Sequence, residues 1–240
     1  MLSAEAARLA ALEVLCPTSA LAVDADYPTL AGAKVFDGRL IGIDDLDREA
    51  KFTPSVSLFT PESHSEPRGE LSVSSDAEAH GILEVVAELA VASTDDDGLP
   101  FADAMAGDDW DARLVLAALC AQIRRLLCHD PRGYLFRRFV RQVLRVSEET
   151  FAIPQLGARW HRVTMKFDLS LPDDEFEDAS GLPRPIADLV ALVPANSIAR
   201  QRLMALSAYF GAIARESVET ITLADEAEGN PIASATNLDS

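Results

Sequence analysis

The sequence predicts an α+β fold: a small mixed or antiparallel sheet packed against two helices, with a helical C-terminal extension. Three observations carry this. Residues 55–60 (SVSLFT) and 161–171 (HRVTMKFDLSL) alternate polar and apolar side chains, the period-2 sign of strands with one buried face. Residues 110–128 repeat apolar side chains at helical spacing, with aspartates before them and arginines at their end. A proline- and acid-rich stretch at 172–185 separates this part from a last apolar helix pattern at 197–216.

The elements follow in chain order. Ser3 can cap a first helix, Glu5 suits its first turn, and Pro17 stops it. Leu2, Leu9, Leu12 and Cys16 lie near one face. Residues 18–31 read as loop, with Pro28 and Gly32 as breakers, and 34–40 as a short strand. After the 55–60 strand, Pro61, Pro67 and Gly69 predict a turn or open loop over 61–69. Residues 71–74 alternate again.

Residues 82–92 (ILEVVAELAVA) fit either period. Glu84 and Glu88 suit a helix, whereas Leu83, Val85, Ala87, Leu89 and Val91 share one face of a strand. The strand is favoured because the sheet otherwise has too few members. Residues 94–98 (TDDDG) predict a turn.

In the 110–128 helix, Leu114, Ala117/Ala118, Ala121, Arg125 and Cys128 track helical spacing, and Leu116, Leu119, Ile123 and Leu127 broaden the apolar surface. A second helix or extended segment spans about 134–145, with Phe136, Phe139/Val140 and Val143 as its stripe. Pro154 and Gly157 form a loop before the 161–171 strand, whose Val163, Met165, Phe167, Leu169 and Leu171 point one way. Residues 173–178 (DDEFED) are an acidic linker. Pro183 and Pro185 begin a short helix that Pro194 closes. In the last helix, Ala199, Leu203, Leu206, Phe210 and Ile213 share a face. The polar tail, 225–240, is expected to be disordered alone or ordered by a partner. The expected division is 1–172 for the α+β domain and 173–240 for the helical extension and arm.

Composition bounds the function. The formal net charge is −18, from 39 acidic and 21 basic residues, a field that repels free nucleic acid. Eleven of the basic residues fall within 110–166. The chain is thus bipolar, with patches suited either to solvated faces or to joining identical copies. Three cysteines, Cys16, Cys120 and Cys128, lie in apolar contexts and form no complete disulfide framework. No uninterrupted apolar window of about 18–20 residues is present, so no membrane span is expected. A signal peptide is not expected either, and synthesis in a reducing cytoplasm is.

No phosphate-cradling glycine loop and no Gly-x-Ser-x-Gly elbow is present. His64, His80, His129 and His161 lack metal-ligand spacing, and His161 is expected at the surface. Asp44, Asp45 and Asp47, or Asp95, Asp96 and Asp97, could hold a hard cation, but turn propensity explains both groups. The candidate partner surface is basic: Arg132, Arg137, Arg138, Arg141 and Arg145. Arg137, Arg141 and Arg145 recur every four residues and should face an acidic protein patch.

The chain resembles the tail terminator, or tail completion, proteins of long-tailed bacteriophages. The resemblance rests on residues 7–17 (ARLAALEVLCP), 34–39 (KVFDGR), 43–46 (IDDL) and 54–60 (PSVSLFT). It continues in the 114–127 helix, in 137–141 (RRFVR) and in 162–171 (RVTMKFDLSL). It covers roughly 1–172, by order of elements more than by identity. It implies a small sheet packed on helices, assembled as a hexameric ring on the end of the tail tube. It implies contacts with the tail tube protein and a head-completion or neck protein, with DNA only passing through the lumen. Virion localisation follows, with no membrane, catalytic residue, metal or cofactor. The acidic stretch near 94–111 and the helices after 173 depart from the compact members. The other readings are a different neck or connector subunit, or a small metal-dependent enzyme using the aspartate clusters.

Overall fold

The computed structural model describes residues 1–67, 77–94, 97–107, 109–153, 158–176, 181–213, 221–224 and 231–235. The chain begins with helix α1 (Leu2–Leu15) and a short helix α2 (Thr18–Val23). Strands β1 (Val35–Asp37), β2 (Thr53–Pro67), β3 (Ala77–Thr94) and β4 (Pro100–Ala104) follow. Helices α3 (Trp110–Cys128) and α4 (Tyr134–Arg138) precede β5 (Gln142–Ile153) and β6 (Ala158–Leu171). Helices α5 (Ile186–Leu192) and α6 (Ile198–Ile213) come next, and β7 (Ile221–Ala224) pairs with β8 (Pro231–Ala235).

The expected α+β architecture is present, with a six-stranded mixed sheet of order β1-β2-β3-β6-β5. Only β1 and β2 run parallel; the other neighbours are antiparallel. The ambiguous 82–92 segment lies inside β3, an 18-residue strand. β2 lines one side of β3, while β6 and then β4 line the other. The odd-numbered residues Leu83, Val85, Ala87 and Leu89 are buried with Val56, Leu58, Met165, Phe167, Leu169 and Leu171. That face carries α1 and α3.

α1 is enclosed on two sides. Ala4, Ala7, Ala11, Val14 and Leu15 join the sheet core, while Ala6, Leu9 and Ala10 pack with Ile186, Leu189, Val193, Ala199 and Leu203 of the C-terminal helices. A helix with apolar residues on two sides needs such double cover. The stretch Leu2–Val23 is apolar and long enough to cross a membrane by composition alone, but Pro17 interrupts it and the fold uses α1 as a core element. Asp37 ties the same parts together, pairing with Arg8 of α1 and Arg202 of α6.

Several expectations are corrected. Ser3 does not cap α1. It lies inside the helix, and the free amides of Leu2 and Ser3 donate to the Asp174 carboxylate at 2.9 and 2.7 Å. A residue of the acidic linker is therefore the cap, because a carboxylate answers both the open N–H groups and the positive helix end. Residues 18–23 form a helix rather than loop, because Pro17 suits a helix start and the Thr18 hydroxyl and amide both reach Glu13. Residues 61–67 continue β2 instead of turning: the register shift between Phe59 and Glu62 places Pro61 in a bulge, where its missing N–H is tolerated. Residues 71–74, 154 and 157 lie outside the described residues. Residues 231–235 pair with 221–224, so part of the tail is a strand.

The helix at 110–128 has the expected bounds, with Asp109 accepting from the Asp111 and Ala112 amides. Its buried face differs. Ala112, Leu116, Leu119, Cys120, Ile123, Leu126 and Leu127 are buried, whereas Leu114, Ala117, Ala118, Ala121 and Arg125 are exposed. The large aliphatics set the rotation because they bury more apolar area than alanines do.

Glu88 on the opposite sheet face is fully buried, and Arg162 donates to it at 2.7 Å and to Asp103 at 3.2 Å. This pair joins β3, β4 and β6. Removing the Asp174 cap should loosen α1 where it meets both cores. Asp174→Ala is expected to cost about 1 kcal/mol, read as a lower midpoint in thermal or denaturant unfolding, while Asp173→Ala leaves the midpoint unchanged.

Candidate functional site: a basic trench between α3 and β5

The two helices do not cover the whole sheet. α1 lies over β1–β3 and α3 over β3 and β6, which leaves the helix-side face of β5 open. On that face β5 presents Val143, Val146, Glu148 and Thr150, set by its register with Leu169, Phe167, Met165 and Val163. The exposed side of α3 forms the facing wall. The result is a cleft of about 490 Å³ reached by Arg113, Arg124, Arg125, His129 and Glu148. A second hollow of about 410 Å³ continues it past Arg137, Arg141, Val143 and Val146. Arg124 and His129 border both, so the two form one trench.

Positive charge dominates the trench. Among the described residues, Arg113, Arg124 and Arg141 have no carboxylate within ion-pair distance, and Arg125 approaches Asp130 only at 3.8 Å. Glu148 is the acidic side chain on its lining. Alanines 117 and 121 and valines 143 and 146 supply apolar surface between the guanidinium groups.

The five arginines expected at a partner surface separate. Arg137 and Arg141 border the trench. Arg137 is already committed: its Nη1 donates to the Leu127 carbonyl at 3.2 Å and its Nη2 to the Asp130 carbonyl at 2.9 Å, satisfying the end of α3. Arg132 lies at the same corner, where its Nε and Nη2 each donate to Asp130 at 3.0 Å. Arg138 is exposed on α4. Arg145 points to the opposite sheet face and pairs with Asp168 at 2.9 Å.

The expected row of Arg137, Arg141 and Arg145 is therefore corrected. α4 ends at Arg138 and β5 begins at Gln142, so four-residue spacing does not keep the three on one face. Arg113, Arg124 and Arg125 were missed as a site. Their signal was the exposed stripe Arg113, Ala117, Ala121, Arg125, of which Ala117, Ala121 and Arg125 were read as part of the apolar face.

The cysteine in the trench lining, Cys120, is buried. Burial, then the Glu148 charge, pushes the Cys120 thiol up to about 12, which keeps it protonated and unreactive. Burial, then Glu13, pushes Cys16 up to about 11. All three cysteines are free. His161 is buried rather than at the surface, because β6 turns it under the 105–107 segment and its amide donates to the Met105 carbonyl at 2.7 Å.

The Asp44–Asp47 group is a turn. The Arg39 guanidinium, followed by the Gly42 amide, holds the Asp45 carboxyl below its ordinary range, and Asp47 accepts from the Glu49 amide at 3.0 Å. Asp95 and Asp96 lie outside the described residues. Among the described residues, no three His, Cys, Asp or Glu side chains converge on a point that could hold a metal ion. No family model, curated protein or solved structure matches the chain.

The corner beside the trench gives two expected outcomes. Arg137→Ala should cost about 1.5–3 kcal/mol, because two carbonyls lose a charged donor, whereas Arg138→Ala should stay within about 0.5 kcal/mol; denaturant unfolding of the two variants compares them. The Arg132 guanidinium and then its amide hold the Asp130 carboxyl well below the usual carboxylate range. A lowered folded-state value means that Asp130 adds stability above the unfolded carboxylate range and loses it in acid. Asp130→Asn should thus lower the unfolding midpoint at neutral pH, and the gap to wild type should close on strong acidification.

Proposed function

We propose that the chain is a virion structural subunit: a tail-terminator-like protein whose copies form a ring on the end of a phage tail tube. The ring ends tube growth by matching the last tube ring on one face, and it joins the tail to a neck protein on the other. The mechanism is geometric and assigns no bond-making step to any side chain.

The observation that supports this reading best is β5. It is a 12-residue strand at the edge of the sheet. Its helix-side face is open as well, and Leu144 and Phe151 elsewhere on the strand are 51% and 46% exposed. Its pairing with β6 is interrupted by two register shifts, yet the strand is long and no helix covers it, and monomeric proteins commonly shorten or cover such edges. A long edge beside arginines that have no ion pair among the described residues, on a chain of net charge −18, suits an assembly surface that opposite charges bring into register. The sequence resemblance of roughly residues 1–172 to tail terminators supplies the kind of assembly proposed.

Mass photometry of the purified protein at rising concentration, together with imaging of the neck of tailed particles, tests the reading. The expected outcome is a hexamer-scale ring, in the particle if not in free solution. A chain that remains monomeric and is missing from purified particles rules the reading out.

A further inference from the structure

Resting on the ring reading, we propose that the α3–β5 trench receives the acidic segment Asp173–Phe176 of a second copy of this chain. The contact is head to tail, because trench and segment are different surfaces of the same molecule. Unlike surfaces are what a ring of more than two copies requires, since a self-complementary patch closes at a dimer.

The trench is built for carboxylates with an apolar residue among them. Arg113, Arg124 and Arg141 carry no ion pair among the described residues, and Val143 and Val146 line the same hollow as Arg124 and Arg141. Guanidinium groups take carboxylates as two-pronged partners. The acidic segment offers the complement. Phe176 is 69% exposed and follows Asp173, Asp174 and Glu175. Asp174 is occupied at the start of α1, which anchors the segment. The Glu175 amide and carbonyl pair with Arg184 at 2.8 and 3.1 Å, so the backbone next to Phe176 is held extended. A segment already held in its bound shape loses little entropy on docking. The free edge of β5 runs beside the trench and can add main-chain hydrogen bonds to an extended guest.

Complementary variants of the full chain test this. Arg124→Glu with Arg141→Glu removes the acceptor and keeps the donor. Glu175→Lys with Phe176→Ser removes the donor and keeps the acceptor. Each variant alone should be monomeric by sedimentation velocity, with association weakened about 30-fold or more. Each should also retain the wild-type circular dichroism and melting curve. Mixed in equal amounts, the two should form a heterodimer and nothing larger, because one intact contact remains. If the Glu reversals disturb folding, Arg124→Gln with Arg141→Gln takes their place in the same mixture. Variants that assemble like wild type, or a mixture that gives no heterodimer, overturn this contact while leaving the ring reading standing. A trench variant that still forms wild-type rings but loses a different neighbour in the particle assigns the trench to a foreign acidic segment and also overturns it. Wild type that never assembles, alone or in the particle, removes both.

Discussion

The double burial of α1 is the constraint on which the rest of the structure depends. Its alanines at positions 4, 7 and 11 let the helix approach the sheet, and Ala6, Leu9 and Ala10 turn the other side toward α5 and α6. Alanine has little side chain to immobilise and high helix propensity, so close approach on two sides costs little. α1 thereby acts as a shared wall between the sheet core and the C-terminal helices. The Asp174 cap and the Asp37 pairs with Arg8 and Arg202 are polar ties across the same boundary.

That placement determines where the surface stays open. With α1 over β1–β3, α3 has room over β3 and β6, and β5 is left without a helix. The chain's large aliphatics turn α3 so that Arg113, Arg124 and Arg125 line the gap. Hydrophobic burial thus positions the charges: each leucine of α3 contributes on the order of 1.5–3 kcal/mol when buried, more than an exposed ion pair adds. Arg113 and Arg124, which have no ion pair among the described residues, are the energetic residue of that compromise, and assembly is the reading that gives them partners.

Much of the fold was legible because periodicity is a local property. The bounds of α3, the alternation of Met165, Phe167, Leu169 and Leu171, and the closing prolines of α5 all follow from neighbours a few residues apart. The candidate site was legible only in part. Arg137 and Arg141 lie at it, but the regular spacing of Arg137, Arg141 and Arg145 implied one helix where the chain changes from α4 to β5. Arg113 and Arg125 sat in plain view at helical spacing with Ala117 and Ala121, and alanine's ambiguity hid which side of α3 faced water.

By itself the sequence determined the α+β class, the strands at 55–60 and 161–171, the helices at 110–128 and near the N-terminus, and the concentration of positive charge in 110–166, because each depends on composition or on spacing within a turn or a pleat; β4 and most of β5 were not legible in it. The tertiary structure decided that Asp174 caps α1, that His161 is buried, that Arg132 and Arg137 brace the end of α3, and that Arg113 and Arg124 meet Arg141 across a trench. Those relations join residues distant along the chain. They exist only once α1 has two buried sides and the sheet has one strand more than the helices can cover.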